Sequence, residues 1–225
     1  MRWTFGEFKL SQIVIFGEGK NDIVFLHEVV TNRLNFNPSD VKIYHLFRSL
    51  EMDIRNQDQK PVSIVDGGGS FTPKRVVRYS RKYWYETCAT QSIGVMGDLD
   101  RGSIYAKVVG YFQEYLRTKC KEHNIHPTIA TSNSSKELAI SVNGTTIITI
   151  WTLEIPCSLE VQISCALKRN YPKVKSVESE DEVIDLVAQR LKISKDDVIR
   201  RSVSMVAQDQ WFQELEKRLR GKLSI

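Results

Sequence analysis

The stretch Gln12-Ile13-Val14-Ile15-Phe16-Gly17-Glu18-Gly19-Lys20-Asn21-Asp22 decides how the rest of the chain is read. An apolar, β-branched run that stops at a glycine-flanked turn has the composition of a buried strand and its exit. From Asn21 to Leu34 the apolar residues Ile23, Phe25, Leu26, Val29, Val30 and Leu34 recur at three- and four-residue steps, which predicts a helix with one buried stripe. The result is a strand-then-helix unit that carries Glu18 and Asp22 in its turn.

The same passage recurs downstream. Val41 to Phe47 reads as a strand, followed by a polar loop or insertion from Glu51 to Lys60. Val62 to Val65 is a short apolar strand ending at Asp66-Gly67-Gly68-Gly69-Ser70, and residues 73–88 have the periodicity of a basic helix. Ile93 to Met96 is the next strand; it ends in Gly97-Asp98-Leu99-Asp100-Arg101-Gly102, and Ser103 is placed to cap a helix running to about Lys121. Three such passages predict an α/β fold with an open, mostly parallel sheet flanked by helices, whose ligands collect at the carboxyl ends of the strands.

Beyond His123 the pattern changes. Thr128 to Thr131, Leu138 to Val142 and Thr145 to Trp151 read as strands, the last two joined by Asn143-Gly144 in an antiparallel hairpin. Pro156 is placed to open a helix to about Asn170, with Glu160 in its first turn. A charged segment, short helices and a C-terminal amphipathic helix through Trp211, Phe212, Leu215 and Leu219 follow. The expected division is an α/β domain with extra strands over residues 1–170 and a helical appendage over 171–225; the alternative is that the last helices complete the main domain. The final helix, with Trp211 and Phe212, offers a surface for a homodimer.

The chain of 225 residues is 41% hydrophobic, enough for a sizeable core. Its 32 Lys and Arg against 27 Asp and Glu give a net charge of +5 and a pI near 9.0, which favours a polyanionic partner without demanding one. Cys88, Cys120, Cys157 and Cys165 form no C-x-x-C pair and have no histidine at zinc-finger spacing, so neither a disulfide framework nor a zinc site is suggested. Met1 to Leu10 lacks an apolar signal core, and the apolar runs are of strand length. The expectation is a cytoplasmic protein with no membrane partner. His27, His45, His123 and His126 show no ligand or triad arrangement.

The residues that carry chemistry are Glu18 and Asp22 after the first strand and Asp98 and Asp100 after a later one. Carboxylates at i and i+2 in a turn can both face one cation, and hard oxygen donors without histidine suit Mg²⁺ or Mn²⁺, which complete their coordination with water and substrate phosphate. Each motif alone also fits a plain turn with a capping acid; their joint placement after two apolar strands favours a metal site. Gly67, Gly68 and Gly69 would let backbone amides approach a phosphate, or would simply turn the chain. Lys74, Arg75, Arg78, Arg81 and Lys82, interleaved with Tyr79, Tyr83, Trp84 and Tyr85, suit a nucleic-acid track with stacking rings, against the alternative of a solvated basic face over buried aromatics. Lys20 and Arg101, beside the acidic turns, are candidates for phosphate neutralisation or for pairing with a nearby carboxylate.

Ile13 to Asp22 and Ile93 to Asp100 resemble the two signature segments of the TOPRIM domain, shared by topoisomerases, bacterial primases, small ribonucleases of the 5S maturation type and OLD-family nucleases. The resemblance covers roughly residues 10–125. It implies that Glu18 is the family glutamate, acting as general acid/base or metal ligand, that Asp98 and Asp100 hold Mg²⁺ or Mn²⁺, and that Asp22 is the acidic position of the nuclease branches. It further implies a downstream acid for a second metal, for which Glu160 is the candidate and Glu154 the fallback. The chain has no topoisomerase-type tyrosine domain, primase zinc domain or Walker A motif, so the resemblance is to a stand-alone small TOPRIM protein near the OLD-family and small-ribonuclease branches. The implied activity is metal-dependent hydrolysis of phosphodiesters in DNA or RNA; the alternative is a non-catalytic module of the same type that binds nucleic acid or a partner.

Overall fold

The computed structural model describes residues 13–56, 60–86, 91–100, 102–119, 127–142 and 144–223. Its centre is a seven-stranded sheet of β1 (Ile13–Gly17), β2 (Val41–Tyr44), β3 (Val62–Asp66), β4 (Gln91–Asp98), β5 (Thr128–Ser132), β6 (Glu137–Val142) and β7 (Thr145–Ile155), in the order β2-β3-β1-β4-β7-β6-β5. The five strands from β2 to β7 run parallel, and β6 and β5 extend the sheet antiparallel. The fold is α/β as expected, including the hairpin, in which Val142 lies opposite Thr145.

All five residues of β1 are buried, which suits a parallel strand covered on both faces. Side chains leave it alternately: Ile13 and Ile15 enter one core, Val14 and Phe16 the other. The first core holds α1 (Lys20–Glu28), α5 (Leu159–Asn170), α6 (Glu180–Leu191), α7 (Lys195–Val206) and α8 (Gln210–Leu223). The second holds α2 (Phe47–Asn56), α3 (Thr72–Glu86) and α4 (Ile104–Lys119). The helices after residue 171 therefore share one continuous core with α1 and α5. Phe212 is fully buried and packs edge-on to Phe25, with Trp211 stacked on the same ring. Phe212 is thus spent inside the chain, and Trp211 is partly buried against the same core.

Two further expectations change. The polar segment after residue 47 is the helix α2, because Phe47 and Leu50 are buried one helical turn apart and Glu51 meets Arg78 from α3 at 2.9 Å. The strand before it stops at Tyr44. The first helix also ends early: Val29–Arg33 winds one residue wider, with the Leu34 amide donating to the Val29 carbonyl at 2.8 Å. Among the described residues no helix is long and apolar enough to cross a membrane.

A candidate carboxylate site at three strand ends

Strands β1, β4 and β7 are neighbours, and the chain runs from β1 outward to β2 and β3 on one side before crossing to β4 on the other. Such a reversal opens a crevice at the carboxyl ends of the strands. The acidic residues leave from those three ends: Glu18 and Asp22 after β1, Asp98 and Asp100 after β4, and Glu160 in the first turn of α5, after β7.

Each side chain has an identifiable support. Gly97 leaves room for the Glu18 carboxylate, since a Cβ there would stand 3.2 Å from Glu18 Oε1. Asp22 is only 7% exposed, and its Oδ2 accepts the Gly19 amide at 2.8 Å, closing the turn on itself. Asp98 Oδ1 accepts the Leu159 amide at 3.1 Å. Leu159 is the first residue of α5, whose cap is Ser158, with Oγ accepting the Val161 amide at 3.2 Å. Asp98 thus sits at the positive end of a helix dipole. Pro156, expected to open that helix, lies in the preceding turn, where Cys157 takes a left-handed φ of 61°. The Asp98–Asp100 turn is pinned to the same segment, the Leu99 amide donating to Ile155 at 3.0 Å and the Asp100 amide to Cys157 at 3.3 Å.

The carboxylates act on one another. Burial raises the pKa of Asp22 well above the usual carboxylate range; the Gly19 amide opposes this, and the charges of Asp98, Glu160 and Glu18 add to it. Burial likewise lifts Asp98 to about 6, opposed by the Leu159 amide and reinforced by Glu18, Glu160 and Asp100. Five acids predicted from sequence therefore share one electrostatic neighbourhood. Among the described residues, however, no group of three or more His, Cys, Asp or Glu side chains closes to metal-holding geometry. Mutual repulsion among these anions is a physical reason for them to stand apart without a cation.

Other expected residues are engaged elsewhere. Lys20 reaches away to Asp196 on α7 at 2.9 Å. Glu154 points to the start of α4, where its Oε1 accepts the Tyr105 amide at 3.3 Å and the Ser103 hydroxyl, while Lys136 stands 3.7 Å from its other oxygen. It is a helix-capping group rather than a member of the cluster. The three glycine amides are also committed: Gly67 donates to the Gly17 carbonyl at 2.7 Å, Gly68 to Asp66 Oδ1 at 2.7 Å and Gly69 to the Glu18 carbonyl at 2.5 Å. This turn holds the backbone of Glu18 in place instead of cradling an anion. Tyr79 is buried against Phe16. Arg75 lies along the Gly68 turn and donates to the Asp66 carbonyl at 3.3 Å, while Lys74 and Arg78 are exposed. Arg101 and the side chains of Arg81, Lys82, Tyr83, Trp84 and Tyr85 lie outside the described residues.

Asn21 is among the supporting residues that escaped the sequence reading. Asn21 Nδ2 donates to Glu160 Oε1 at 2.8 Å, across 139 residues, tying the first acidic turn to α5. Its only signal in the sequence is its position between Lys20 and Asp22. No protein-family model, no curated protein and no solved structure matches the chain.

Proposed function

We propose that this chain is a Mg²⁺- or Mn²⁺-dependent nuclease of TOPRIM type that hydrolyses phosphodiesters in nucleic acid. The observation that carries the reading is the gathering of Glu18, Asp22, Asp98, Asp100 and Glu160 at the ends of three adjacent parallel strands, where crowding costs stability that only a cation or a protonation equilibrium offsets. The donor set is all oxygen, which fits a hard divalent ion. Glu18, Asp22, Asp98, Asp100 and Glu160 are the residues that would hold it.

When bound, such an ion polarises a phosphoryl oxygen and lowers the pKa of water. The protein's own part is positional. The Leu159 amide and the α5 dipole keep Asp98 oriented, Asn21 orients Glu160, and the glycine turn fixes the backbone of Glu18. Glu18, for which Gly97 leaves room, is the group assigned to hold the ion or to take the proton of the attacking water.

A second reading, a binding module of the same type without catalysis, is favoured by one observation, the lack of three converging metal donors among the described residues. One experiment separates the two. Purified protein is incubated with labelled single- and double-stranded DNA and RNA in Mg²⁺, Mn²⁺ or EDTA, beside the Asp98→Ala/Asp100→Ala variant. Metal-dependent cleavage lost in the variant supports the nuclease; salt-dependent binding with no product at any enzyme concentration supports the module.

A further inference from the structure

The strongest unassigned feature is a groove of about 320 Å³ between α3 and α4, lined by Lys74, Val77, Arg78, Tyr111, Tyr115 and Thr118, with Glu114 on its wall. Lys74 and Arg78 stand one helical turn apart on α3, and Phe71, the last residue of the 3-10 turn before that helix, precedes Lys74 by three residues. Phe71 is 59% exposed, unusual for a phenylalanine in a chain that buries so many of its large apolar side chains. Lys74 Nζ hangs 5.6 Å above the Tyr111 ring, placing a cation beside an aromatic face at the mouth of the groove. Arg78 is shared between Glu51, at 2.9 Å, and the Phe47 ring, at 5.6 Å.

This strip follows the turn that holds the backbone of Glu18. The Gly69 amide binds the Glu18 carbonyl at 2.5 Å, and Phe71 stands two residues further on, after which α3 descends away from the strand ends. We propose that an unpaired, single-stranded segment of nucleic acid leaves the carboxylate site across Phe71 and runs down the α3–α4 groove, with a base on the Phe71 ring and a phosphate on Lys74. The placement at the site rests on the nuclease reading; the contacts do not. Alternation of an open ring, a cation and further rings is what successive nucleotides require, because each offers a flat face and a charge. A duplex fits worse, since its base faces are hidden in the stack and cannot reach Phe71. Glu114 disfavours a phosphate at its level, which leaves Lys74 as the principal charge contact.

The test is equilibrium binding in EDTA, where no cleavage intervenes. Fluorescence anisotropy is read with oligo(dT) and oligo(rU) of about 20 nucleotides and with a duplex of equal length, from about 50 to 200 mM salt. Wild type is expected to bind the single strands more tightly than the duplex. Phe71→Ala is expected to weaken single-strand binding about tenfold with an unchanged salt slope, as loss of one stacked base requires. Lys74→Ala is expected to weaken binding and reduce the slope of log K against log salt by about 0.7, as loss of one phosphate contact on a single strand requires. Both side chains are exposed, so the fold is retained, and thermal denaturation checks it.

Single-strand binding that neither variant alters, preference for the duplex, or no binding by wild type would each overturn the groove assignment. The nuclease reading is judged separately by metal-dependent cleavage and its loss in Asp98→Ala/Asp100→Ala. A protein that binds through the groove but never cleaves keeps this inference and loses that reading.

Discussion

Asp22 and Asp98 are carboxylates held where their charge is unwelcome, and the sign of the resulting pH dependence can be worked out. Both have folded pKa values raised by burial, Asp98 to about 6 from an ordinary 3.8. The folded protein therefore binds more protons than the unfolded chain between those values. The Asp98 contribution to stability is complete below about pH 4 and is lost as pH rises through 6, and that of Asp22 has the same sign. Asp98→Asn removes the penalty, so in EDTA the variant is expected to be more stable than wild type at pH 7.5, with the difference vanishing toward pH 4. Paired urea titrations at several pH values check this, and a difference independent of pH would show that Asp98 does not titrate as described. On the proposed function the same variant loses cleavage by about 100-fold or more. Asn21→Ala, which removes the hydrogen bond to Glu160, is expected to weaken Mn²⁺ binding about tenfold, as outer-shell partners typically do, with little change in melting temperature. Calorimetric titration with Mn²⁺ measures it.

At the scale of the element, the strand ends depend on close approaches. Gly94 in β4 leaves room for Trp151 of β7, whose indole would lie 2.5 Å from any added Cβ and whose Nε1 donates to Ser92 at 2.7 Å. Gly94→Ala is expected to cost about 1–3 kcal/mol by overpacking, measured by denaturant unfolding, and to disturb the β4–β7 pairing that brings Asp98 to α5. Ser158→Ala removes the cap of α5 and is expected to cost about 1 kcal/mol; because that helix supplies the Leu159 amide, the Asp98 pKa should also rise, which NMR titration of the carboxyl carbon reads. The units β1–α1 and β4–α4 were legible because their buried runs end in glycines and their helices have one apolar stripe. Helix α2 was not, because Phe47 follows Tyr44 closely enough to read as more strand, and its burial depends on α3 and β1. Glu18, Asp22, Asp98 and Asp100 could be named from local pattern, and Glu160 only from the family resemblance. Their supports Asn21, Leu159 and Gly97 could not, since each works through a partner remote in sequence.

Across the whole molecule the helices after residue 171 are part of the same core as β1 and α1. Phe212→Ala is expected to destabilise the entire fold by about 3–5 kcal/mol in a single cooperative transition, seen as coincident circular-dichroism and fluorescence unfolding curves. A separate early transition for the last helices would instead mark an independently folding appendage. The sequence left this division open because amphipathic stripes say that a helix is covered but not by what. Position in the sheet carries a further consequence for how the chain is made. β4 pairs with β1 on one side and with β7 on the other, and β7 is completed only at Ile155. A nascent chain that has emerged as far as α4 therefore offers the ribosome exit region a naked β4 edge, rich in unpaired amides and open to other strands. Slow translation between α4 and β7 should make this protein prone to aggregation, and a chaperone that covers that edge during synthesis should raise its yield more than one that acts on the finished chain.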